Sequence, residues 1–135
     1  MKTKILKGLL GTSLVLVMLN AAVFLPKIKA AIHGYADDQH YAYFLYGFDG
    51  STPYVGLRNT TSSSKYGLVR IEGYTASGQY IDCTGADKVL ASNEIVEKSG
   101  SISGASKYRF FGVLYSTNVP YGSPLVEFDT GYMWN

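Results

Sequence analysis

The chain predicts an all-β fold, a small antiparallel β-sandwich or barrel-like domain that follows an N-terminal signal peptide. Three observations carry this prediction. All 12 tyrosines, five of the six phenylalanines and Trp134 lie beyond residue 31, scattered between Gly- and Ser-rich clusters. Apolar and polar residues alternate over short runs, the period-two pattern of half-buried strands. Turn spellings such as Asp49-Gly50 and Thr75-Ala76-Ser77-Gly78 punctuate those runs at short spacing.

The first thirty residues read differently. Lys2, Lys4 and Lys7 precede an apolar run over residues 8–25, which Pro26, Lys27 and Lys29 end ahead of Ala30-Ala31. A basic start, an apolar middle, a helix breaker and then small residues form the layout of a secretory signal peptide. Cleavage is expected after Ala30, with Ala22 as second choice, so that residues 1–30 are the export segment and 31–135 the domain. The alternative is an uncleaved anchor formed by residues 8–25, because about 18 apolar residues is the lower edge of a membrane span. No cysteine follows the run to carry a lipid. Both readings put the domain outside the cytoplasm.

Setting that segment apart changes the charge balance. Five of the 12 basic residues and none of the 10 acidic ones fall within it, leaving seven basic against ten acidic, a net charge of −3. A mildly acidic domain with dispersed Lys and Arg lacks the footprint of a phosphate-backbone binder, so nucleic acid is not an expected partner. Cys83 is the only cysteine, so the domain must hold together without an internal disulfide. A chain of about 100 residues buries enough surface to do so.

In order along the chain, His33 to His40 reads as a solvated lead-in. The run 40–48 (HYAYFLYGF) carries Tyr41, Tyr43 and Leu45 on one face and Ala42, Phe44 and Tyr46 on the other, a strand covered on both sides. A turn is expected over 48–54, a short strand over 54–58 and a polar loop over 59–64. Residues 65–83 carry the clearest local signal. Val69 and Ile71 alternate with Arg70 and Glu72, the chain turns at 75–78, and Ile81 and Cys83 alternate against Tyr80 and Asp82, together a β-hairpin. Residues 86–100 fit either one helical turn plus a strand or two short strands around Ser92-Asn93. Residues 99–106 form a loop by composition, 107–116 a strand, 117–124 a turn, and 125–134 a closing strand with Val126 and Phe128 inward.

Catalytic spellings dissolve on inspection. Asp129-Thr130-Gly131 resembles the catalytic turn of an aspartic protease, but that chemistry needs two carboxylates sharing a proton. A turn closing a last strand explains the same letters. Cys83 follows Asp82, whose charge raises a thiol pKa, and no histidine is near in sequence to serve as its base. Residues 100–104 (GSISG) have Ile102 where a nucleophile elbow needs serine. Residues 62–65 (SSSK) lie in a polar loop without the helix that chemistry requires. No catalytic residue and no cofactor is expected. Asn59-Thr60-Thr61 spells a glycosylation acceptor.

Two features remain as binding candidates. If cleavage leaves Ala31-Ile32-His33, the free α-amine, two backbone amides and the His33 imidazole can place four nitrogens around Cu(II) or Ni(II), so His33 is a metal candidate conditional on that cut. The tyrosines exceed what a core of this size requires. Tyr combines a flat apolar face with a polar tip at low entropic cost, and Tyr54 and Tyr121, expected in loops, are the candidates for stacking on sugar rings or on a protein.

In composition and layout the chain resembles short exported β-proteins of Gram-positive bacteria, among them small bacteriocin-like polypeptides. That resemblance carries no residue assignments. The expected function is a secreted, non-catalytic binding module for extracellular glycan, cell wall or a protein partner. The alternatives are a toxin-like effector acting on neighbouring cells and, less favoured, a small hydrolase. Membrane contact is expected only through the signal segment if it stays uncleaved.

Overall fold

A computed structural model describes residues 40–134 together with the backbone of 3–5 and 31–37. The described strands are β1 (Thr3–Ile5), β2 (Ala31–Asp37), β3 (Ala42–Asp49), β4 (Thr52–Asn59), β5 (Lys65–Tyr74), β6 (Tyr80–Leu90), β7 (Ile95–Ser99), β8 (Lys107–Tyr115), β9 (Pro124–Asp129) and β10 (Met133–Trp134). No helix occurs among the described residues, so the all-β expectation is borne out. The expected signal segment, its cleavage point and the apolar run 8–25 lie outside the described residues, apart from the backbone of β1. Among the described residues no helix is long and apolar enough to cross a membrane.

Two sheets form. One has the order β1-β9-β8-β5-β6, with β10 pairing β8 beyond the end of β9, and the other has the order β2-β3-β4-β7. Every pairing is antiparallel except that of the three-residue β1, which lies parallel to β9. The sheets are called A and B below.

The predicted hairpin over 65–83 is present as β5 and β6, but β6 runs on to Leu90. Cys83 therefore sits within a long strand and not at a strand end. Of the two readings of 86–100 the structure takes the pair of strands, with a turn over 91–94 in which Asn93 has φ 67°. The turn expected over 48–54 is much tighter. Asp49 pairs with Thr52, and Gly50, at φ 59°, supplies the left-handed residue of a two-residue hairpin loop. Tyr54 is thereby in β4 and not in a loop, opposite Gly47 and Ser99. The lead-in is also corrected: residues 31–37 form β2 and pair along β3, with an irregularity between Ile32 and Gly34. The polarity of its Asp and His residues concealed a strand because it is an edge strand, where polar residues are tolerated. The closing segment breaks at Thr130-Gly131 into β9 and β10.

Alternation sets the core. Phe44, Tyr46 and Phe48 from β3 and Val55 and Leu57 from β4 face Val69, Ile71, Phe110, Leu114, Val126 and Phe128 of sheet A, all within one buried cluster. Rings join the two sheets: Phe44 stacks on Phe128 at 5.0 Å, and Phe48 meets Tyr108 and Phe110 edge-on at 5.7 Å. Each such buried side chain contributes about 2 kcal/mol by area, which is how the domain dispenses with a disulfide. Loop 100–106 closes one end by packing Ile102 and Ala105 against the cluster.

Candidate functional site

The outward residues of sheet A make the best-furnished surface. Cross-strand partners share a face, and register aligns Arg70 with Phe111, Glu72 with Arg109 and Tyr74 with Lys107 across β5 and β8. At one end of this face, β10 sets Trp134 opposite Lys107. The Lys107 ammonium lies 4.5 Å from the Trp134 ring centre and 5.9 Å from that of Tyr132. Tyr74 meets Tyr132 edge-on at 4.9 Å and Tyr80 at 5.7 Å. Tyr80, Tyr132 and Trp134 are each more than half exposed, so the cluster presents ring surface to solvent.

Charges tie this aromatic end to the strands. Arg109 Nε donates to Asp129 at 2.9 Å, and its Nη2 donates to the other carboxylate oxygen. Burial pushes the Asp129 carboxyl up, but the Arg109 hydrogen bond and the Gly131 N–H together outweigh it and hold Asp129 below the ordinary carboxylate value. The Asp129-Thr130-Gly131 string is thus a turn. Asp129 accepts from the Gly131 N–H, while Thr130 Oγ1 accepts from the Phe110 N–H and donates to the Gly131 carbonyl. The Arg70 and Arg109 guanidinium groups lie over the Phe111 ring, 4.8 and 4.7 Å from its centre. Tyr74 donates its hydroxyl to Glu72, and burial first, then that bond, pushes the Tyr74 phenol up to about 12.

The opposite end of the face carries a second aromatic group. Tyr66, Tyr115 and Tyr121 form a triangle with ring centres 5.8–6.2 Å apart. Tyr121 is 71 % exposed and sits at φ 57°, a left-handed backbone unusual for an aromatic residue. Between the two ends, β8 spans roughly 26 Å at strand rise. A shallow recess of about 130 Å³ lies beside this span, lined by Leu68, Arg70, Cys83, Gly85 and Asp87 among others. Glycine is needed at position 85 because a Cβ there would meet the Val69 carbonyl at 2.6 Å.

The sequence candidates therefore part company. Tyr121 belongs to the outer face of sheet A. Tyr54 lies on sheet B, where its hydroxyl donates to Glu97 at 3.1 Å and burial, followed by the Glu97 charge, raises its pKa. His33 falls at the irregularity of β2, and its side chain lies outside the described residues. No cluster of three or more His, Cys, Asp or Glu able to hold a metal ion occurs among the described residues. Cys83 is a free, exposed thiol on the outer face. The glycosylation spelling is closed in the folded chain: Asn59 is fully buried, and its Nδ2 donates to the carbonyls of Ser63, Leu90 and Ala91.

Sequence reasoning missed Trp134, Tyr132, Tyr80 and Lys107 as one group. A signal was present in the Gly131 turn that precedes Tyr132 and Trp134, but only β10 docking on β8 brings them beside Tyr74. A scan against protein-family models gives no match, and a search of the curated proteins gives none either.

Proposed function

We propose that the chain is a secreted β-sandwich module, exported by residues 1–30, that binds extracellular glycan without catalysis through the outer face of sheet A. The observation that carries this reading is the pair of exposed aromatic groups held at the two ends of one rigid strand. Tyr80, Tyr132 and Trp134 stand at one end and Tyr121 at the other. Sugar rings offer apolar C–H faces that stack on such surfaces, and their hydroxyls need charged or polar partners alongside. Arg70, Glu72, Arg109 and Asp129 supply these between the platforms. The carboxylates interleaved with the cations favour a neutral polymer over a polyanion.

The test is retention of the secreted protein on insoluble peptidoglycan, chitin and cellulose. Trp134→Ala and Tyr121→Ala are each expected to weaken retention about tenfold, the scale of one lost aromatic contact. Tyr54→Ala, on the other sheet, is expected to leave retention unchanged. No retention of the wild type on any polymer, or equal losses from Tyr54→Ala and Trp134→Ala, refutes the reading.

A further inference from the structure

We infer that β6 is a self-association edge, and that two copies of the chain pair β6 to β6 in antiparallel fashion about a twofold axis through Gly85. The strand is long, running from Tyr80 to Leu90, and it ends sheet A. β5 takes one side of it, and no described residue pairs with the other. An open strand edge is a row of unused donors and acceptors that templates another strand. The direction of those groups can be read from Cys83. Its N–H is taken at 2.8 Å by the carboxylate of Asp82 and so faces the free edge. Pairing with β5 is regular from Asp82 to Leu90, so by antiparallel alternation the N–H and C=O of Gly85 and Asp87 face that edge as well.

Charge then selects the register. With Gly85 opposite Gly85, Asp82 of each copy stands opposite Lys88 of the partner subunit, twice by symmetry, at the narrow non-hydrogen-bonded positions where side chains come closest. Neither Asp82 nor Lys88 has an ion-pair partner among the described residues, and both are exposed. They oppose Gly73 and Gly67 of β5 in the register of sheet A. Among registers that keep both outer faces on one side, moving the axis to Asp87 or to Lys88 sets like charges opposite each other. An axis at Cys83, Thr84 or Ala86 sets no opposite pair. In the Gly85 register Cys83 and Asp87 oppose each other, and roughly six ladder bonds form. Asp82 then exchanges its hold on the Cys83 N–H for the Lys88 ammonium of the partner subunit. The result is one continuous sheet with two copies of the outer face side by side, whatever that face binds.

Sedimentation velocity of the full secreted protein, over about 1 µM to about 500 µM, reads the equilibrium expected for an interface of modest area. A monomer–dimer equilibrium is expected. Lys88→Asp and Asp82→Lys should each weaken it about tenfold, since two attractive pairs become repulsive, and the double variant Asp82→Lys/Lys88→Asp should restore it. Asp87→Cys is expected to cross-link to Cys83 of the partner subunit under mild oxidation, giving a disulfide dimer that the wild type does not give. The opposed Cα atoms, about 5.5 Å apart, fit that bond. A monomeric wild type throughout overturns the inference. So does a dimer indifferent to Lys88→Asp, a double variant that fails to recover while its circular dichroism matches wild type, or an Asp87→Cys protein that stays uncross-linked.

Discussion

Asn59 is the side chain whose loss should be felt most widely. It is fully buried at the end of β4. Its Nδ2 donates to Ser63 at 2.9 Å, Leu90 at 3.0 Å and Ala91 at 3.2 Å, and its Oδ1 accepts from the Thr61 N–H and hydroxyl at 3.0 and 2.7 Å. One amide thus ties the 60–64 loop to the end of β6. Asn59→Ala removes all five bonds, but their costs differ. The bond to Leu90 is buried and no water replaces it, while water can reach the others in part. At about 1 kcal/mol for the buried bond and about 0.5 kcal/mol for each of the other four, the expected loss is about 3 kcal/mol. Asn59→Asp is the sharper perturbation. It has nearly the same shape but turns a donor into an anion facing three carbonyl oxygens, so it should destabilise more than alanine above the carboxylate pKa. Urea unfolding followed by fluorescence measures both. With an m-value of about 2 kcal/mol/M, Asn59→Ala should lower the midpoint by about 1.5 M. A loss under about 1 kcal/mol, or an aspartate milder than the alanine at neutral pH, would refute the account of Asn59 as the tie between these segments.

Gly112→Ala should cost about 1 to 3 kcal/mol in the same assay. Its Cβ would lie 2.6 Å from the Phe44 ring, which cannot retreat because it stacks on Phe128. Tyr46→Phe should be neutral or stabilising by about 1 kcal/mol, because the buried Tyr46 hydroxyl has no hydrogen-bond partner among the described residues; a loss above that size counts against it. Asp129 has a folded pKa below its unfolded value. Its contribution is therefore present above about pH 4 and lost as pH falls through the folded pKa. The melting temperatures of wild type and Asp129→Asn should differ at neutral pH and converge on acidification, and a gap that persists in acid contradicts the ion pair. In an ultraviolet titration the Tyr74 phenol, held near 12, should ionise earlier in Glu72→Gln, because the carboxylate that raises it is gone. A Tyr74→Phe background identifies its signal.

Much of the strand pattern was legible in the sequence because alternation is a local property. Val69 and Ile71 against Arg70 and Glu72, and Val126 and Phe128 against Glu127 and Asp129, declare which face each residue takes, and the described structure agrees. The turn string at Asp129 and the loop over 100–106 were readable for the same reason, since turn chemistry acts over a few residues. Misreadings arose where distant partners decide. Residues 84–90 look weakly strand-like alone, yet they extend β6 because β5 offers a continuous edge to pair against. Tyr54 is expected in a loop because it closes the turn string 48–54, but pairing with β3 and β7 draws it into β4.

What the sequence determined by itself is the class of fold, the disulfide-free core and the presence of more aromatic surface than that core can use. Only the tertiary structure decided where that surplus gathers. Two sheets have four faces, and nothing local to a tyrosine says which face of which sheet it will join. Docking of β10 on β8 assembled Trp134, Tyr132 and Tyr74 from segments more than fifty residues apart, packing on Tyr66 and Tyr115 kept Tyr121 on the same face, and strand pairing left Tyr54 on the other sheet. Side-chain period is a property of a few consecutive residues, whereas a site is a property of which strands become neighbours, and that is settled by burial over the whole chain.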